Sequence, residues 1–469
     1  MAIIEGFFNK IKEQNIKLID FRFTDSSGSW HNISYESSNI DQGVIENGIV
    51  FNGSLIKGWR DVTESDMILK PDVTTFCMDP FASYPTALLL CNVLCPNTLQ
   101  DYNRDPRSIA LRAEKHLVKT EVGSHIYFGA ELEFFLFDDV KFHNERNNCG
   151  FSVDSEEHPS NSNRTYDSGN LGHRPKLQKG SFPVAPIDSA SGMRSEMMET
   201  LKDMGVWARH HHHEVAPGQN ELGFNFNTLV NTADNVQKYK YVVHNTAHSF
   251  GKSATFMPKP LWGDNGNGMH LHQSIIKGGK NLFFGNYYAG LSKEALYYIG
   301  GIMKHSRALN AFTNASTNSY KRLIQGGSVP TAISYSGTNR STTVRIPHAS
   351  SAKDKRVEIR FSDPSANPYL ALSAVLMAGL DGINKRINPG DPEERNLYTL
   401  PKSELLKKSH LAKSLQESLD ALDKDREFLL QGRVFTNDQI DAYIKLKMEE
   451  VEELNSRPHP IEYKNYYSC

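Results

Sequence analysis

The chain has 469 residues, a length that allows two or more domains and a large buried core. Its 52 lysines and arginines nearly balance 54 aspartates and glutamates, which argues against a surface built mainly to bind nucleic acid. Five cysteines in so long a chain do not make a disulfide framework, and no apolar run reaches the roughly 18 residues of a membrane-spanning helix. Because the N-terminus also lacks a signal-peptide pattern, we expect a cytoplasmic protein that binds neither nucleic acid nor membrane.

The predicted elements begin with a short helix whose apolar face includes Ile3, Phe7 and Ile11. Residues 1 to about 100 form a small α+β unit, and strands then alternate with helices from 126 to about 380. The pattern predicts strands over 18–25, 85–96, 127–137 and 355–363, helices over 109–119, 367–385, 403–430 and 437–455, and a long surface loop over 143–182.

Polar residues two positions apart recur in three segments of the chain, and a fourth segment carries two glutamates separated by a Pro-Gly turn. On a strand such residues lie on the same face, so each pair can enter one cavity. One pair alone is usually a solvated strand face, but here the neighbours are apolar and the pattern recurs, which favours a shared site. The pairs and near-pairs are Glu131 and Glu133 in YFGAELEFFLF, Glu214 and Glu221 in HHHHEVAPGQNE, His270 and His272 in GDNGNGMHLHQS, and Glu358 and Arg360 in KRVEIRFSD.

These acids and histidines suffice for two divalent ions with oxygen-rich ligands, a type that suits Mg²⁺ or Mn²⁺ and commonly handles phosphates. Arginines suited to carboxylate and phosphate oxygens occur nearby. The basic set is Arg322, Arg340, Arg345, Lys353, Arg356 and Arg360. Two other nucleotide motifs are absent, since Gly251-Lys252-Ser253 lacks the first P-loop glycine and no GxGxxG follows a strand.

From about residue 18 to its C-terminus the chain resembles bacterial type I glutamine synthetases. The resemblance is carried by long motifs, among them NRDPRSI, ELEFFLFDD, HHHEVAPGQNE, GKSATFMPKP, GDNGNGMHLH, NRSTTVRIP and VEIRFSDPSANPYLALSA. It implies an α+β fold with an N-terminal β-grasp-like domain (1–103) and a large α/β catalytic domain (104–469). It also implies a homo-oligomer, a dodecamer of two stacked hexameric rings, with each site between the N-terminal domain of one subunit and the catalytic domain of its neighbour.

The resemblance assigns roles residue by residue. One metal would take Glu133, Glu214 and Glu221, and the other Glu131, His270 and Glu358. The glutamate contacts would be Glu133, Asn265, Gly266, His270, Arg322 and Arg360, and the ATP contacts His272, Ser274, Arg345, Lys353 and Arg356. The catalytic set would be Arg340, Arg345, Asn52 and Ser328.

The implied reaction uses ATP and two or three Mg²⁺ or Mn²⁺ ions. The γ-carboxylate of glutamate attacks the γ-phosphate of ATP to give γ-glutamyl phosphate, and an amine then displaces phosphate. Stabilisation of the charge on the transferring group is the main catalytic work in such transfers.

The chain departs from the family pattern where ammonium should bind. Asn52 and Leu55 replace Asp and Ser, Ser181 replaces Tyr before Phe-Pro, and Ser328 replaces the flap Glu. A pocket without these carboxylates suits a larger or less basic nucleophile than ammonium. We therefore predict a ligase that joins glutamate, or a close analogue, to another amine; the alternatives are glutamine synthetase itself and a catalytically impaired homologue.

Tyr398, in NLYTLP, lies in a segment similar to the loop whose tyrosine is adenylylated in many family members. Thr399 stands where Asp is usual, so an unmodified exposed tyrosine is the alternative interpretation.

Overall fold

The computed structural model describes residues 2–158, 171–324 and 329–469. Its strands are β1 Leu18–Thr24, β2 Trp30–Glu36, β3 Ile49–Asn52, β4 Asp66–Met78, β5 Thr86–Leu94, β6 His125–Phe137, β7 Asp139–Glu145, β8 Asn148–Asp154, β9 Ala208–His213, β10 Gln219–Phe224, β11 Asn227–Thr228, β12 Ser253–Thr255, β13 Met269–Lys277, β14 Lys280–Asn281, β15 Tyr335–Gly337, β16 Val344–Ile346 and β17 Val357–Ile359. Its helices are α1 Ala2–Glu13, α2 Gln42–Asn47, α3 Pro106–Lys119, α4 Ser191–Asp203, α5 Leu229–Ser249, α6 Lys293–Thr313, α7 Ser319–Arg322, α8 Pro368–Lys385, α9 Lys402–Leu405, α10 Leu415–Lys424, α11 Glu427–Leu430, α12 Asn437–Asn455 and α13 Pro460–Tyr466.

The N-terminal sheet has the strand order β2-β1-β5-β4-β3, in which only the β1–β5 pair is parallel. Strand β1 is buried along nearly its whole length because both of its faces are covered. Phe21 and Phe23 face an apolar core that also contains Phe7 of α1. The alternating Asp20 and Arg22 point the other way, toward the rest of the chain.

The larger sheet has the order β15-β16-β17-β13-β6-β10-β9, with β11 and β12 also pairing with β6. The apolar positions of the central strand, such as Leu132 and Phe134, face a core shared with α5 and α8. Because side chains alternate along a strand, this packing directs the intervening polar residues of β6 to the opposite face.

Contacts of charged and aromatic side chains join the N-terminal sheet to helices α3 and α5. Arg107, at the start of α3, donates to Asp234 of α5 at 3.0 Å and to Asp72 of β4 at 2.9 Å. Arg22 lies between the rings of Trp30 and Tyr241, and its guanidinium donates to a carboxylate in the turn that follows β4. These contacts hold the N-terminal domain against the catalytic domain.

Three sequence predictions need correction. The segment 143–182 is not one surface loop, because 139–154 forms the β7–β8 hairpin, while 159–170 lie outside the described residues. The helix predicted over 403–430 is broken into α9, α10 and α11, and the strand predicted over 355–363 extends only over β17. Among the described residues, no helix combines the length and apolar character needed to cross a bilayer.

Candidate active site

One face of the larger sheet carries a continuous row of charged side chains. Directly paired residues of antiparallel strands share a face, so the register places acids and bases from five strands side by side. The register pairs Glu221 with Glu133, His270 with Glu131, His272 with Glu358, and Arg345 with Glu358. The sheet therefore brings together residues that lie far apart in the chain.

The first predicted metal set converges in the structure. Glu133, Glu214 and Glu221 each offer an oxygen within 4.8 Å of the other two. Burial and the charge of Glu214 raise the pKa of Glu133 to about 7, and burial and the charge of Glu131 raise the pKa of Glu221 to about 8. Carboxylates held this close repel each other unless a proton or cation lies between them, so the donor set fits an oxygen-preferring divalent ion.

Two further groups fix Glu133 in this cluster. Its Oε2 accepts hydrogen bonds from the Gln219 amide at 3.0 Å and from the backbone N–H of Gly268 at 2.7 Å. Such partners orient a carboxylate before a cation arrives. The absence of a Cβ at Gly268 also leaves room for Arg322, whose Nη2 would lie 2.5 Å from a Cβ at this position.

The second predicted metal set is more tightly engaged with protein groups. His270 Nδ1 lies 3.7 Å from both Glu131 and Glu358. The carboxylate of Glu358 accepts from Arg345 at 2.6 Å and from Arg360 at 2.5 Å. A carboxylate has about four lone-pair positions, so these two bonds leave room for a cation.

Electrostatics keep both acids of this second set ionised. Burial opposes ionisation of Glu358, but His272, His270 and the two arginines outweigh it and lower its pKa to about 2. Burial likewise opposes ionisation of Glu131, and its contacts with the two histidines more than compensate and lower its pKa. The end of the row at Glu131 and Glu358 is thus anionic and paired, whereas at the end with Glu133 and Glu221 burial and mutual repulsion favour a proton, which a bound cation would replace.

A cavity of about 730 Å³ adjoins the row at the β13 and β17 end. Its size lies within the range of small-molecule sites. Of the predicted ATP contacts, Ser274, Lys353 and Arg356 line it, and Arg356 Nε donates to His272 Nδ1 at 3.2 Å. The cavity therefore has a polar, cationic wall that contacts His272, one of the charged row on the larger sheet.

The predicted glutamate contacts lie on β6 and β13, in the turn that precedes β13, at the end of α7 and directly after β17. Arg322 is buried and donates to the Phe361 carbonyl at 2.9 Å. Within the described residues, the buried Nε atoms of Arg322 and Arg360 have no hydrogen-bond partner. Two buried guanidinium groups beside the carboxylate cluster suit an anionic substrate. Gly266 is closely packed, since a Cβ there would lie 2.2 Å from the Pro258 carbonyl oxygen.

Asn265 lies in the same glycine-rich turn. Its backbone N–H donates to Asp264 Oδ1 at 2.8 Å, which helps to fix the turn beside the glutamate contacts.

Arg340 and Tyr398 lie on two adjoining loops at the edge of the sheet. Arg340 is exposed between β15 and β16, and its carbonyl accepts from the Tyr398 hydroxyl at 3.4 Å. The Asn339 amide donates to the carbonyls of Glu393 and Arg395 at 3.0 Å each. These contacts tie the turn that carries Arg340 to the loop that carries Tyr398.

Of the altered acceptor residues that the structure describes, Asn52 and Leu55 lie in the N-terminal domain, whereas Ser181 lies in a segment whose backbone donates to the end of β9 and the turn after it. Asn52 ends β3 in the N-terminal sheet, and its Oδ1 accepts from the backbone N–H and hydroxyl of Ser54. Leu55 is 80% exposed, and Ser181 is exposed as well. Ser328 lies outside the described residues.

Sequence reasoning missed several residues at the site. His210 and His212 form a second three-residue group with Glu221, and Arg209, Tyr127 and Phe226 line the cavity. The alternation of the four-histidine run was the available signal for the first two. The cavity residues carry no local motif, because only strand pairing brings them together.

The fold and site agree with a single family. A model of the glutamine synthetase catalytic domain matches residues 103–466, and one of the glutamine synthetase beta-Grasp domain matches residues 15–96. Glutamine synthetase of Azospirillum brasilense is 55% identical over 468 residues, with 100% of both chains covered. That of Escherichia coli (strain K12) is 50% identical over 465 residues, with 99% of each covered.

Solved structures agree. A cryoEM structure of Plasmodium falciparum glutamine synthetase superposes with a TM-score of 0.91 at 30% identity, covering 99% of this chain and 98% of that one. A ligand-free GmaS structure gives 0.83 at 27% identity, covering 98% and 99%. The protein is therefore an ATP-dependent ligase that forms carbon–nitrogen bonds. More particularly, the chain belongs to the glutamine synthetase family, with a β-grasp N-terminal domain and a large catalytic domain.

Proposed function

We propose that this protein is a glutamine synthetase, which joins glutamate and ammonium at the expense of ATP. The observation that carries the proposal is the row of acids and histidines beside a cationic cavity, in a chain 50–55% identical over its full length to relatives named glutamine synthetase. The proposed acceptor is therefore ammonium, and not the other amine that the sequence analysis predicted.

Different residues along the row bind the two substrates and stabilise the transferring group. Arg322 and Arg360 bind the carboxylates of glutamate, while Lys353 and Arg356 bind the phosphates of ATP. The γ-carboxylate of glutamate attacks the γ-phosphorus and ADP leaves. Ammonium loses a proton, and the resulting ammonia attacks the acyl carbon; phosphate then leaves and the nitrogen loses a second proton to give the amide. Arg345 and Arg340 offset the charge that develops on the transferring oxygens.

Two ions, Mg²⁺ or Mn²⁺, fit the donor sets of the row, and the family allows a third. Glu133, Glu214 and Glu221 would hold one ion, and the second would take the acid–histidine set around His270. When bound, such ions neutralise phosphate charge and polarise the phosphoryl oxygens. The raised pKa values of Glu133 and Glu221 support the first site.

A larger amine is the second candidate acceptor. Asn52 and Ser328 lack the negative charge that attracts ammonium, and Leu55 presents an apolar surface. At ~4 Å and an effective dielectric near 20, each absent carboxylate removes about 4 kcal/mol of attraction before desolvation is counted. A catalytically impaired homologue remains the third hypothesis, although the intact row argues against it.

One experiment separates these functions. Phosphate release from ATP and glutamate is measured with ammonium and with a panel of primary amines of increasing size, and products are identified by mass spectrometry. Turnover with ammonium and formation of glutamine support the proposal. A kcat/KM higher for another amine replaces it with the second candidate, and absence of ATP cleavage with every acceptor favours the third.

We also propose a cytoplasmic homo-oligomer, a dodecamer of two stacked hexameric rings. Exposed aromatic side chains on the β7–β8 hairpin and on α13 support subunit interfaces, since large apolar patches rarely face solvent. These residues are Phe142, Phe151, Tyr463, Tyr466 and Tyr467. Light scattering after size exclusion gives the mass; a monomer would contradict this proposal.

Tyr398 is a proposed adenylylation site. Its side chain is partly exposed, and its hydroxyl donates to the Arg340 carbonyl. A nucleotide attached there would remove this bond and disturb the turn that carries Arg340. Mass spectrometry of the protein isolated from its native cells, with and without phosphodiesterase treatment, tests the modification.

A further inference from the structure

The four-histidine run divides between the two faces of β9. His210 and His212 lie on the face of the ionic row, opposite Gly223 and Glu221 of β10. His211 faces the other way and accepts from Arg194 Nε at 3.0 Å, and His213 contacts Glu157. Of the four histidines, only His210 and His212 therefore reach the active-site face.

His210, His212 and Glu221 form a compact donor group. Each offers one ligand atom within 4.8 Å of the other two. Glu221 lies 3.8 Å from His210 Nε2 and 3.9 Å from His212 Nε2. In a tetrahedral site with bonds near 2.0 Å, ligand atoms are about 3.3 Å apart, so small side-chain rotations bring these three into range.

Gly223 makes the space that His210 uses. A Cβ at Gly223 would lie 2.5 Å from Cε1 of the His210 ring, so the imidazole covers the bare backbone of β10. The rings of His210 and His212 are nearly parallel, with centroids 5.9 Å apart. The side chain of His210 is 47% exposed, which leaves the outer side of the group open to water or another ligand.

The chemistry of this group differs from that of the neighbouring carboxylates. Two imidazoles and one carboxylate suit borderline transition-metal ions, whereas Mg²⁺ prefers oxygen ligands alone. We propose that His210, His212 and Glu221 bind one transition-metal ion of the Zn²⁺ or Co²⁺ type, at a site distinct from the Glu133–Glu214–Glu221 cluster but sharing Glu221 with it. The site does not depend on which amine the enzyme uses.

Zn²⁺ titration calorimetry and Co²⁺ absorption spectra, both in excess Mg²⁺, test the proposal on the full-length protein. The wild type is expected to bind one tight Zn²⁺ and to give the intense visible bands of low-coordinate Co²⁺. His210→Ala should weaken Zn²⁺ binding at least about 100-fold and abolish the bands. Loss of a residue that only hydrogen-bonds to a ligand already lowers metal affinity about 10–100-fold, and His210 is itself a ligand. His211→Gln, on the opposite face of the same strand, should change neither.

Gly223→Ala supplies a second variant that keeps all three ligands. Its added methyl group should displace the His210 ring and weaken Zn²⁺ binding, with the circular dichroism spectrum unchanged. Equal Zn²⁺ affinity in the wild type and His210→Ala, or no tight Zn²⁺ binding in the wild type, would overturn the proposal. Neither result bears on the ligase function, which product analysis tests separately.

Discussion

Glu157 holds the turn that presents two of the proposed metal ligands. It is 2% exposed and accepts from His213 Nε2 at 2.9 Å, from the Ser189 hydroxyl at 2.6 Å and from the Gly218 backbone N–H at 2.6 Å. Gly218 lies in the turn between β9 and β10, the same connection that carries Glu214 and leads to Glu221. We predict that Glu157→Gln destabilises the fold and weakens metal binding together.

The magnitude follows from the pKa of Glu157. Burial alone would raise it, but the bonds from His213, Ser189 and Gly218 outweigh burial and lower it from 4.5 to about 2. This difference corresponds to about 3 kcal/mol of stability. The glutamine amide would also place its NH2 group among hydrogen-bond donors that now bind the carboxylate. We therefore expect the free energy of unfolding to fall by roughly 3 kcal/mol, in the range for breaking a buried ionic contact.

The sign of the pH dependence is fixed by the same values. Because the folded-state pKa is lowered, this contribution is complete above pH 4.5 and is lost as the pH falls toward 2. At the alkaline side, burial opposes protonation of His213, but Glu157 raises its pKa above 6.5, and the contribution declines as the pH rises through that raised value. The wild-type and variant stabilities should therefore differ most near pH 6 and converge in acid.

Urea unfolding at fixed protein concentration, repeated from pH 3 to 8, measures this difference. Glu156→Gln is the matched control, since the neighbouring carboxylate is partly exposed and pairs with Lys252 at 2.7 Å; it should cost less than about 1 kcal/mol. Calorimetry should show Mg²⁺ or Mn²⁺ affinity reduced about 10–100-fold in the Glu157 variant. Unchanged unfolding midpoints at pH 6, or a difference that grows below pH 4, would refute the reasoning.

Three further changes test other parts of the site. Arg356→Gln removes a charge from the cavity wall and should raise the KM for ATP about 10-fold or more, as charged hydrogen bonds contribute ~1.5–3 kcal/mol; an unchanged KM excludes this contact. Asn52→Asp combined with Ser328→Glu introduces two carboxylates and should lower the KM for ammonium at least about 10-fold; an unchanged KM would show that these two positions do not attract the cation. Asn339→Ala releases two loop carbonyls from the turn that carries Arg340, so kcat should fall about 10-fold with little change in the KM for ATP; an equal rise in that KM would argue against a positioning role.

Much of the site could be predicted from the sequence because it depends on local alternation. Glu131 and Glu133 lie two residues apart in an apolar strand, so one face had to be polar and the other buried. The same rule places His270 and His272 together, and the family resemblance supplies their roles. The β-grasp domain and the catalytic domain were predicted through that resemblance, and both are confirmed.

Predictions from local residue patterns were wrong for two segments, the β7–β8 hairpin and the helix expected over 403–430. Residues 143–154 of the β7–β8 hairpin were predicted as loop because they are rich in polar residues. The hairpin is stabilised by pairing between its own two strands, which sets Phe142 opposite Phe151 on one face. The helix expected over 403–430 breaks after α9 because residues 409–411 pair with 331–333, and Ser414 then caps the start of α10. Neither feature could be predicted from local periodicity, because each depends on pairing between backbone segments.

The sequence by itself determined which face of each strand is charged, since backbone geometry alternates side chains whatever the strand pairs with. Only the tertiary structure decided which charges meet. The register sets Glu221 opposite Glu133 and Arg345 opposite Glu358, and it places His210 over Gly223. Those pairings join distant segments whose packing reflects the whole apolar core, and this is why the oxygen-rich cluster could be anticipated from its residues while the histidine group beside it could not.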